Sequence, residues 1–213
     1  MPGLLFVDLW PECRADGCWQ PRFAEIPRIA STVGIESAVL HHSRIDAQAV
    51  AALSPRGIML SGSSYNLMEE PADDPVDGVA LPVFARLTAA LAQLPQTPVL
   101  GICFGLQYLM FAAGGHLCPL ERPRREPAFP IEVLTDDPLF TGISSPRLVE
   151  NHAWSVDRCA PGYQVVARSA DGIEAARHER LPRVGVQFHP EYCTHAGATS
   201  DGERMLRNWL QTL

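Results

Sequence analysis

The sequence predicts an α/β protein with an open, mainly parallel sheet, helices on both faces and a small antiparallel extension. In the first half of the chain, short apolar runs alternate with stretches of helical periodicity. In the second half, short strand-like runs follow one another with only turn signals between them. The chain has 213 residues, of which 46% are hydrophobic, so it can bury one large core. We therefore expect residues 1–213 to form a single domain.

Strands and helices are predicted in alternation before residue 116. The strands are apolar runs typical of buried parallel strands, and they lie at 4–7, 37–40, 57–60 and 98–102. The helices repeat apolar side chains every three to four residues, and they lie at 23–33, 45–53, 83–94 and from 104 to the glycine pair at 114–115. Residues 10–20 and 69–78 are expected to be loops, and His41 and His42 are expected to be solvated.

The pattern changes after residue 115. Residues 119–130 combine prolines with charged side chains and are expected to form a charged connector. A closing helix is expected over 205–210. Between them lie short runs spaced as in a mixed or antiparallel extension, at 131–134, 148–150, 163–167, 173–177 and 183–188.

Charge and composition exclude several classes of function. The net charge is -7, and no basic stripe is present, so nucleic acid and anionic membrane surfaces are not expected as partners. No apolar run approaches the ~20 residues of a membrane span. The N-terminus lacks the charged segment of a signal peptide, so we expect a cytoplasmic protein. The six cysteines do not show the spacing of a zinc site, and no metal is expected.

One cysteine, Cys103, lies at the joint between a predicted strand and a predicted helix. Gly101 and Gly105 stand two positions before and after it. This is the layout of a nucleophile elbow, in which small neighbours are needed because the backbones pack closely. The start of a helix also favours a thiolate. The alternative interpretation is a buried structural cysteine.

A second candidate group, His189 and Glu191, lies near the end of the last predicted strand. Positions two apart on a strand face the same side, so the carboxylate can bind one ring nitrogen and stabilise an imidazolium. Pro190 cannot donate to a strand ladder and marks the end of the strand. If this strand is next to the one before Cys103, the three residues form a Cys-His-Glu relay. The alternative for His189 is a core histidine.

A turn of small residues at 61–65 follows the predicted strand 57–60. The carboxyl ends of strands are where α/β sheets place ligand sites, and the backbone N–H groups of such a turn can point at an anion. An ordinary turn would have the same sequence.

Two longer motifs give a more specific indication. Residues 101–107, Gly-Ile-Cys-Phe-Gly-Leu-Gln, and residues 185–191, Gly-Val-Gln-Phe-His-Pro-Glu, resemble the signature motifs of class I (triad) glutamine amidotransferases. The resemblance extends over most of the chain. Segments 136–142, 167–169 and 173–175 are similar in particular to the glutaminase domain or subunit of GMP synthase.

The resemblance implies an enzyme that hydrolyses the side-chain amide of L-glutamine to glutamate and ammonia without a cofactor. It implies Cys103 as the nucleophile, His189 as the general acid and base, and Glu191 as the partner of the histidine. Backbone N–H groups of Ser63 and Phe104 would form the oxyanion hole. The residues implied for glutamine binding are Gly62, Gln107, Ala153 and Trp154.

The chain departs from the family pattern at three places, the first being the segment 10–20, which is longer than the family's first connection. Residues 61–64 read Ser-Gly-Ser-Ser where the family usually has Ser-Gly-Gly-Pro, and Trp154 stands where GMP synthase glutaminases usually have an acidic residue. No nucleotide-binding synthetase domain is recognisable. We expect a glutaminase subunit that passes ammonia to a separate synthase, GMP synthase-like or another acceptor enzyme. The alternatives are a stand-alone γ-glutamyl hydrolase with the same triad and a non-catalytic binding module.

Overall fold

One mixed sheet of ten strands dominates the fold, in a computed structural model that describes residues 2–12, 18–67, 78–79 and 81–213. The described strands are β1 (Leu4–Asp8), β2 (Ser37–His41), β3 (Gly57–Leu60), β4 (Asn66–Leu67), β5 (Gly78–Val79), β6 (Val99–Ile102), β7 (His116–Pro130), β8 (Glu132–Val133), β9 (Arg147–Arg158), β10 (Tyr163–Ser169), β11 (Gly172–His178) and β12 (Arg183–Val186). The described α-helices are α1 (Glu25–Thr32), α2 (Ala47–Leu53), α3 (Ala85–Gln93), α4 (Phe104–Ala112) and α5 (Asp201–Leu210).

The first half of the sheet is parallel. Its strands lie in the order β2-β1-β3-β6-β12, and every neighbouring pair runs parallel. Gly101 of β6 is in register with Gly185 of β12, so the two strands that precede the candidate site residues lie side by side. The predicted fold class is confirmed, including the expectation that strands 57–60 and 98–102 share one sheet.

Helices cover both faces of the parallel strands because alternate side chains of each strand point to opposite sides. Leu4 and Phe6 of β1 belong to one buried cluster, which they share with apolar residues of α1 and α5. Leu5 and Val7 belong to a second cluster, with residues of α2, α3 and α4. The near-continuous apolar runs of the strands follow from this burial on two sides.

The second half of the sheet is antiparallel and corrects one expectation. Residues 119–130 are not a connector: they lie in β7, which pairs with β9 over most of its length. The strand contains four prolines, and its pairing shifts register at three points, two of which span Pro123 and Pro127. Proline and charge are tolerated because β7 pairs with β9 alone, at the edge of the sheet. Because prolines and charged residues are unusual in strands, the sequence pattern did not predict β7.

The two histidines after β2 also differ from expectation, since both are buried rather than solvated. His41 ends β2, and its Nε2 atom lies 2.7 Å from the carbonyl oxygen of Trp10. His42 packs among aromatic rings, including those of Tyr65 and Phe84. Burial lowers the pKa of His42 to about 4, with the nearby His41 acting in the same direction, so this imidazole is neutral.

Two expected loops fall partly outside the described residues: 13–17 of the stretch 10–20, and 69–77 of the stretch 69–78. The other predicted helices and strands of the first half are confirmed within a few residues. Within the described ranges, no helix has both the length and the apolar character needed to cross a bilayer.

We expect Gly101→Ala to lower the free energy of unfolding by about 1–3 kcal/mol, the usual effect of overpacking a rigid site. A Cβ at Gly101 would lie 2.5 Å from the carbonyl carbon of Gly105, a backbone atom that cannot move alone. Gly57→Ala is the matched control, because its Cβ would meet only the end of the flexible Leu213 side chain at 2.6 Å. Urea unfolding measures both, and equal losses would contradict the rigid contact.

Candidate functional site

Cys103 stands at a sharp turn between β6 and α4. Its backbone has φ 50° and ψ -103°, a strained conformation for a residue other than glycine, and it immediately precedes the helix. Gly105 makes the turn possible, because a Cβ there would lie 2.7 Å from the carbonyl oxygen of Leu60. The strand-turn-helix geometry of the predicted elbow is therefore present, with a buried thiol at its apex.

His189 lies beside this thiol because β12 pairs with β6. The backbone N–H of Cys103 donates to the carbonyl of Val186 at 2.7 Å, which joins the ends of the two strands. The chain then leaves the sheet, and Pro190–Tyr192 forms a 3-10 helix. The predicted strand 183–188 thus ends at Val186, and the reason given for the contact between His189 and Glu191 was wrong, although the contact exists.

The imidazole of His189 is held between two acidic partners. Its Nδ1 atom lies 2.8 Å from Oε1 of Glu191, and both side chains are buried. Burial by itself would lower the pKa of His189. The charges of Glu191 and Cys103, with side-chain hydrogen bonds to both, nevertheless hold this pKa well above its ordinary value. The geometry therefore stabilises an imidazolium between Glu191 and the sulfur of Cys103.

The turn after β3 also contacts Cys103 and His189. Gly62 packs directly on the candidate pair: a Cβ there would lie 2.9 Å from Cε1 of His189 and 3.6 Å from Cβ of Cys103. The turn is tied to the chain that follows β1, because Ser61 Oγ accepts the N–H of Leu9 at 2.8 Å and Ser63 Oγ donates to the carbonyl of Leu9, also at 2.8 Å.

Two backbone N–H groups near Cys103 have no acceptor among the described residues. One belongs to Ser63, whose side-chain hydroxyl is already engaged. The other belongs to Phe104, the first residue of α4, which has no partner within the helix. Ser63 does not have positive φ, so a glycine is not required at this position of the turn.

Three of the four predicted glutamine-binding residues line the cavity outside the turn, and the fourth, Gly62, belongs to the turn. Gln107 of α4 donates from Nε2 to the carbonyl oxygen of Trp154 at 2.9 Å, and the same carbonyl lies 2.9 Å from Nδ1 of His152. Ala153 and Trp154 line the cavity together with Gln107. The structure therefore brings these residues close to Cys103.

Two further residues of the site were missed by sequence reasoning. Gln187 is fully buried, donates to Cys103 Sγ at 3.6 Å and accepts from Gln107 at 3.2 Å. Its position two residues before His189 was no valid signal, because β12 ends at Val186 and both residues lie beyond the strand. The ring of Tyr192 stacks on the ring of His189 with a centroid distance of 4.5 Å. Nothing in the sequence indicated that contact.

A cavity of about 370 Å³ opens over Cys103. Its wall includes Trp10, Tyr65, Arg125 and Tyr192. Six of the predicted site residues also line it: Ser63, Cys103, Gln107, Ala153, Trp154 and His189. Glu191 stands behind His189, and Gly62 forms the floor beneath that ring.

A buried group of three titratable side chains adjoins the cavity, and one of them, His152, lines it. Glu150, His152 and Glu174 place ligand atoms within 4.8 Å of one another, and this is the one cluster of its kind in the described part of the chain. None of the three was among the predicted site residues.

Comparisons with known proteins agree with these motifs. The glutamine amidotransferase class-I family profile matches residues 24–212. The chain is 32% identical over 183 residues to a glutamine-hydrolysing GMP synthase subunit of Pyrococcus abyssi, over 84% of this chain and 86% of that one. It is 34% identical over 113 residues to the pyocyanine-specific anthranilate synthase component 2 of Pseudomonas aeruginosa, over 53% of this chain and 54% of that protein.

Longer relatives match over part of their length. The chain is 37% identical over 166 residues to the glutamine-hydrolysing GMP synthase of Thermomicrobium roseum, covering 78% of this chain but 28% of that protein. A crystal structure of a candidate GMP synthase subunit from Thermoplasma acidophilum superposes with a TM-score of 0.75 at 21% identity, over 99% of this chain and 94% of that one. This last likeness concerns the fold alone.

We expect iodoacetamide to alkylate Cys103 at neutral pH at least about tenfold faster than Cys18, because a neighbouring imidazolium favours the reactive thiolate. Cys18 is the exposed control, whereas Cys103 is buried and lines the cavity. His189→Gln should slow the reaction at Cys103 and leave Cys18 unchanged. Peptide mass spectrometry measures both sites, and rapid modification of Cys18 with Cys103 intact would contradict the assignment.

Proposed function

We propose that this chain, which belongs to the class I glutamine amidotransferase family, hydrolyses the side-chain amide of L-glutamine and supplies ammonia to a separate synthase. The chain is homologous to the glutaminase subunits of GMP synthases. The observation that carries the proposal is the meeting of Cys103, His189 and Glu191 beneath one cavity, in a chain that matches the family over 24–212. We treat residues 1–213 as a single glutaminase domain.

In the proposed reaction, the Cys103 thiolate attacks the amide carbon of glutamine and forms a tetrahedral intermediate. His189 gives its proton to the departing nitrogen, so ammonia leaves and a thioester remains on the sulfur. The neutral imidazole then removes a proton from water, which attacks the thioester and releases glutamate. Glu191 binds Nδ1 throughout, which keeps Nε2 directed to the reacting atoms and stabilises the imidazolium.

The free N–H groups of Ser63 and Phe104 are the proposed oxyanion hole. Both flank Cys103, and neither has another acceptor among the described residues. Each such donor lowers the barrier by about 3 kcal/mol in related chemistry. The two bonds from the turn to Leu9 would hold the Ser63 donor in place before substrate arrives.

The amino-acid end of glutamine is proposed to bind along Gln107, Ala153 and Trp154, with Gly62 beneath His189 leaving room for the amide. This placement rests on the cavity wall that these residues form. The adjoining Arg125 offers a cation at the rim, where a carboxylate would be exposed to it.

A stand-alone γ-glutamyl hydrolase is the second candidate. The cavity volume of about 370 Å³ lies within the range of pockets that hold larger ligands, about 300–1,000 Å³. Trp154 on its wall replaces the acidic residue usual in GMP synthase glutaminases. The same triad chemistry would then release glutamate from a γ-glutamyl amine or peptide.

We expect Cys103→Ala and His189→Gln to reduce glutamine hydrolysis to background, because each removes a group that forms or breaks a bond. Glu191→Gln should remain about tenfold to a hundredfold above that background, since the histidine stays in place but is less well oriented and less basic. Ammonia release from glutamine measures all three. Full activity in Glu191→Gln would reduce the proposed triad to a Cys-His dyad.

We expect the purified chain to hydrolyse glutamine slowly and to be activated by its synthase. The experiment is to isolate the proteins that co-purify with the tagged chain from its own host, with Cys103→Ala as a matched bait that keeps the surface. Glutaminase activity is then measured with and without the captured synthase. Full activity alone on a γ-glutamyl amine, unchanged by any partner, would favour the hydrolase instead.

A further inference from the structure

Three buried titratable side chains lie next to the proposed glutamine site without a part in the Cys-His-Glu chemistry. Glu150 and His152 are two residues apart on β9 and face the same side, and Glu174 lies on the adjacent strand β11. The side chains of Glu150 and His152 are 0% and 1% exposed, and Glu174 is equally buried. A group of this kind must satisfy its polar atoms internally.

The hydrogen bond of His152 fixes which of its nitrogens carries a proton. Its Nδ1 atom lies 2.9 Å from the carbonyl oxygen of Trp154, which can only accept, so Nδ1 is the donor. Burial lowers the pKa of His152, so the ring is neutral and Nε2 has a lone pair. The nearest carboxyl oxygen to that nitrogen described for the cluster is Oε2 of Glu150, at 3.1 Å. A carboxylate cannot donate to this nitrogen, whereas a carboxylic acid can.

The hydrogen bonds of Glu174 also require a protonated carboxyl group in the cluster. The Ser169 hydroxyl donates to Oε1 of Glu174 at 2.5 Å, which leaves Oε2 of that residue. Four buried atoms of the cluster then lack a partner: both carboxyl oxygens of Glu150, Nε2 of His152 and Oε2 of Glu174. Two protons satisfy all four, if Glu174 donates to Glu150 and Glu150 donates to His152.

We propose that Glu150 and Glu174 act as neutral carboxylic acids and that donated hydrogen bonds run from Ser169 through Glu174, Glu150 and His152 to the carbonyl of Trp154. This chain of hydrogen bonds positions the strand that carries the proposed glutamine-binding residues. Its role in catalysis therefore rests on the proposed function, whereas the protonation of the two acids does not.

The electrostatic surroundings support neutral acids. Burial raises the pKa of Glu150 to about 8, and burial together with Glu150 raises that of Glu174 well above its ordinary value. The charged groups near Glu150 are His189 on one side and the ion pair of Arg124 with Asp171 on the other. Asp171 raises the pKa of Glu150 and thereby offsets its partner Arg124, which lowers it.

The consequence for the site lies at one carbonyl oxygen. Trp154 accepts from both Gln107 and His152, so the α4 side and the β9 side of the cavity are joined at that atom. Loss of the proton from Glu150 would place a carboxylate against the lone pair of His152 and loosen this junction. Glu150 and Glu174 are thus positioning residues, and alkaline pH should weaken glutamine binding.

The direct test is a pH titration of the glutamate carboxyl carbons by NMR in the full chain, labelled with ¹³C at that position. Resonances are assigned by their loss in Glu150→Gln and Glu174→Gln. We expect these two carboxyls to titrate far above the exposed glutamates. Titration of both with the exposed group, or a stoichiometric divalent metal in the purified protein, would overturn the proposal. This experiment does not depend on glutamine hydrolysis.

The functional test compares two variants of Glu150, the amide Glu150→Gln and the truncation Glu150→Ala. The amide of Glu150→Gln can donate to His152 and accept from Glu174, so KM for glutamine should stay within about twofold. Glu150→Ala removes the donor, so KM should rise about tenfold with a smaller change in kcat. Glu132→Gln, at an exposed position on β8, is the matched control.

The pH dependence separates a positioning role from a general loss of stability. KM of the wild-type chain should rise as pH passes about 8, because Glu150 ionises there, and Glu150→Gln should remove that rise. A KM increase in Glu150→Gln as large as in Glu150→Ala would show that the carboxylate is the working form. If Glu150→Ala does not fold, the positioning role is tested by whether Glu150→Gln removes the rise of KM above about pH 8. If the chain has no glutamine activity, the protonation of the two acids is tested by the NMR titration alone.

Discussion

The close approach of backbones around Cys103 is the constraint on which the site depends. A Cβ at Gly185 would lie 3.0 Å from the Cα of Leu106, and one at Gly105 would lie 2.7 Å from the carbonyl oxygen of Leu60. Helix α4 therefore rests directly on β3 and β12 as well as following β6. Only this packing brings the turn after β3 and the segment after β12 to the same thiol. A single methyl group at these glycines would separate the parts of the site.

Burial and nearby charges compete at two neighbouring buried groups, His189 and Glu150, and the competition has opposite outcomes. At His189, burial opposes the charged ring, but the Glu191 and Cys103 charges prevail and raise its pKa well above the ordinary value. At Glu150, the nearby His189 and Arg124 lower the pKa, but each is paired with an acid of its own, so burial prevails and the neutral acid is favoured. The difference follows from the distribution of partners rather than from depth, because both groups are almost completely buried.

The parallel half of the fold could be predicted because each element has a local signal. Apolar runs predict the strands, helical periodicity predicts the helices, and the spacing of Gly101, Cys103 and Gly105 indicates the elbow. The antiparallel half could not, because β7 is charged, rich in proline and held by pairing with a distant strand. Gln187 and Tyr192 lie beyond the end of β12 and join the site through tertiary contacts, so no local pattern indicated either of them.

The two walls of the cavity are anchored by different physical means, and this bears on how the site responds to its surroundings. The turn at Ser61–Ser63 is held by hydroxyl groups bonded to the backbone of Leu9, which do not ionise in the physiological range. The opposite wall at Trp154 is held through His152 and two carboxyl groups, which can ionise. A change of pH therefore acts on the wall proposed to bind the amino-acid end of glutamine and leaves the proposed oxyanion turn unaffected. The wall proposed to bind glutamine and the proposed oxyanion turn are thus held in place by different kinds of contact.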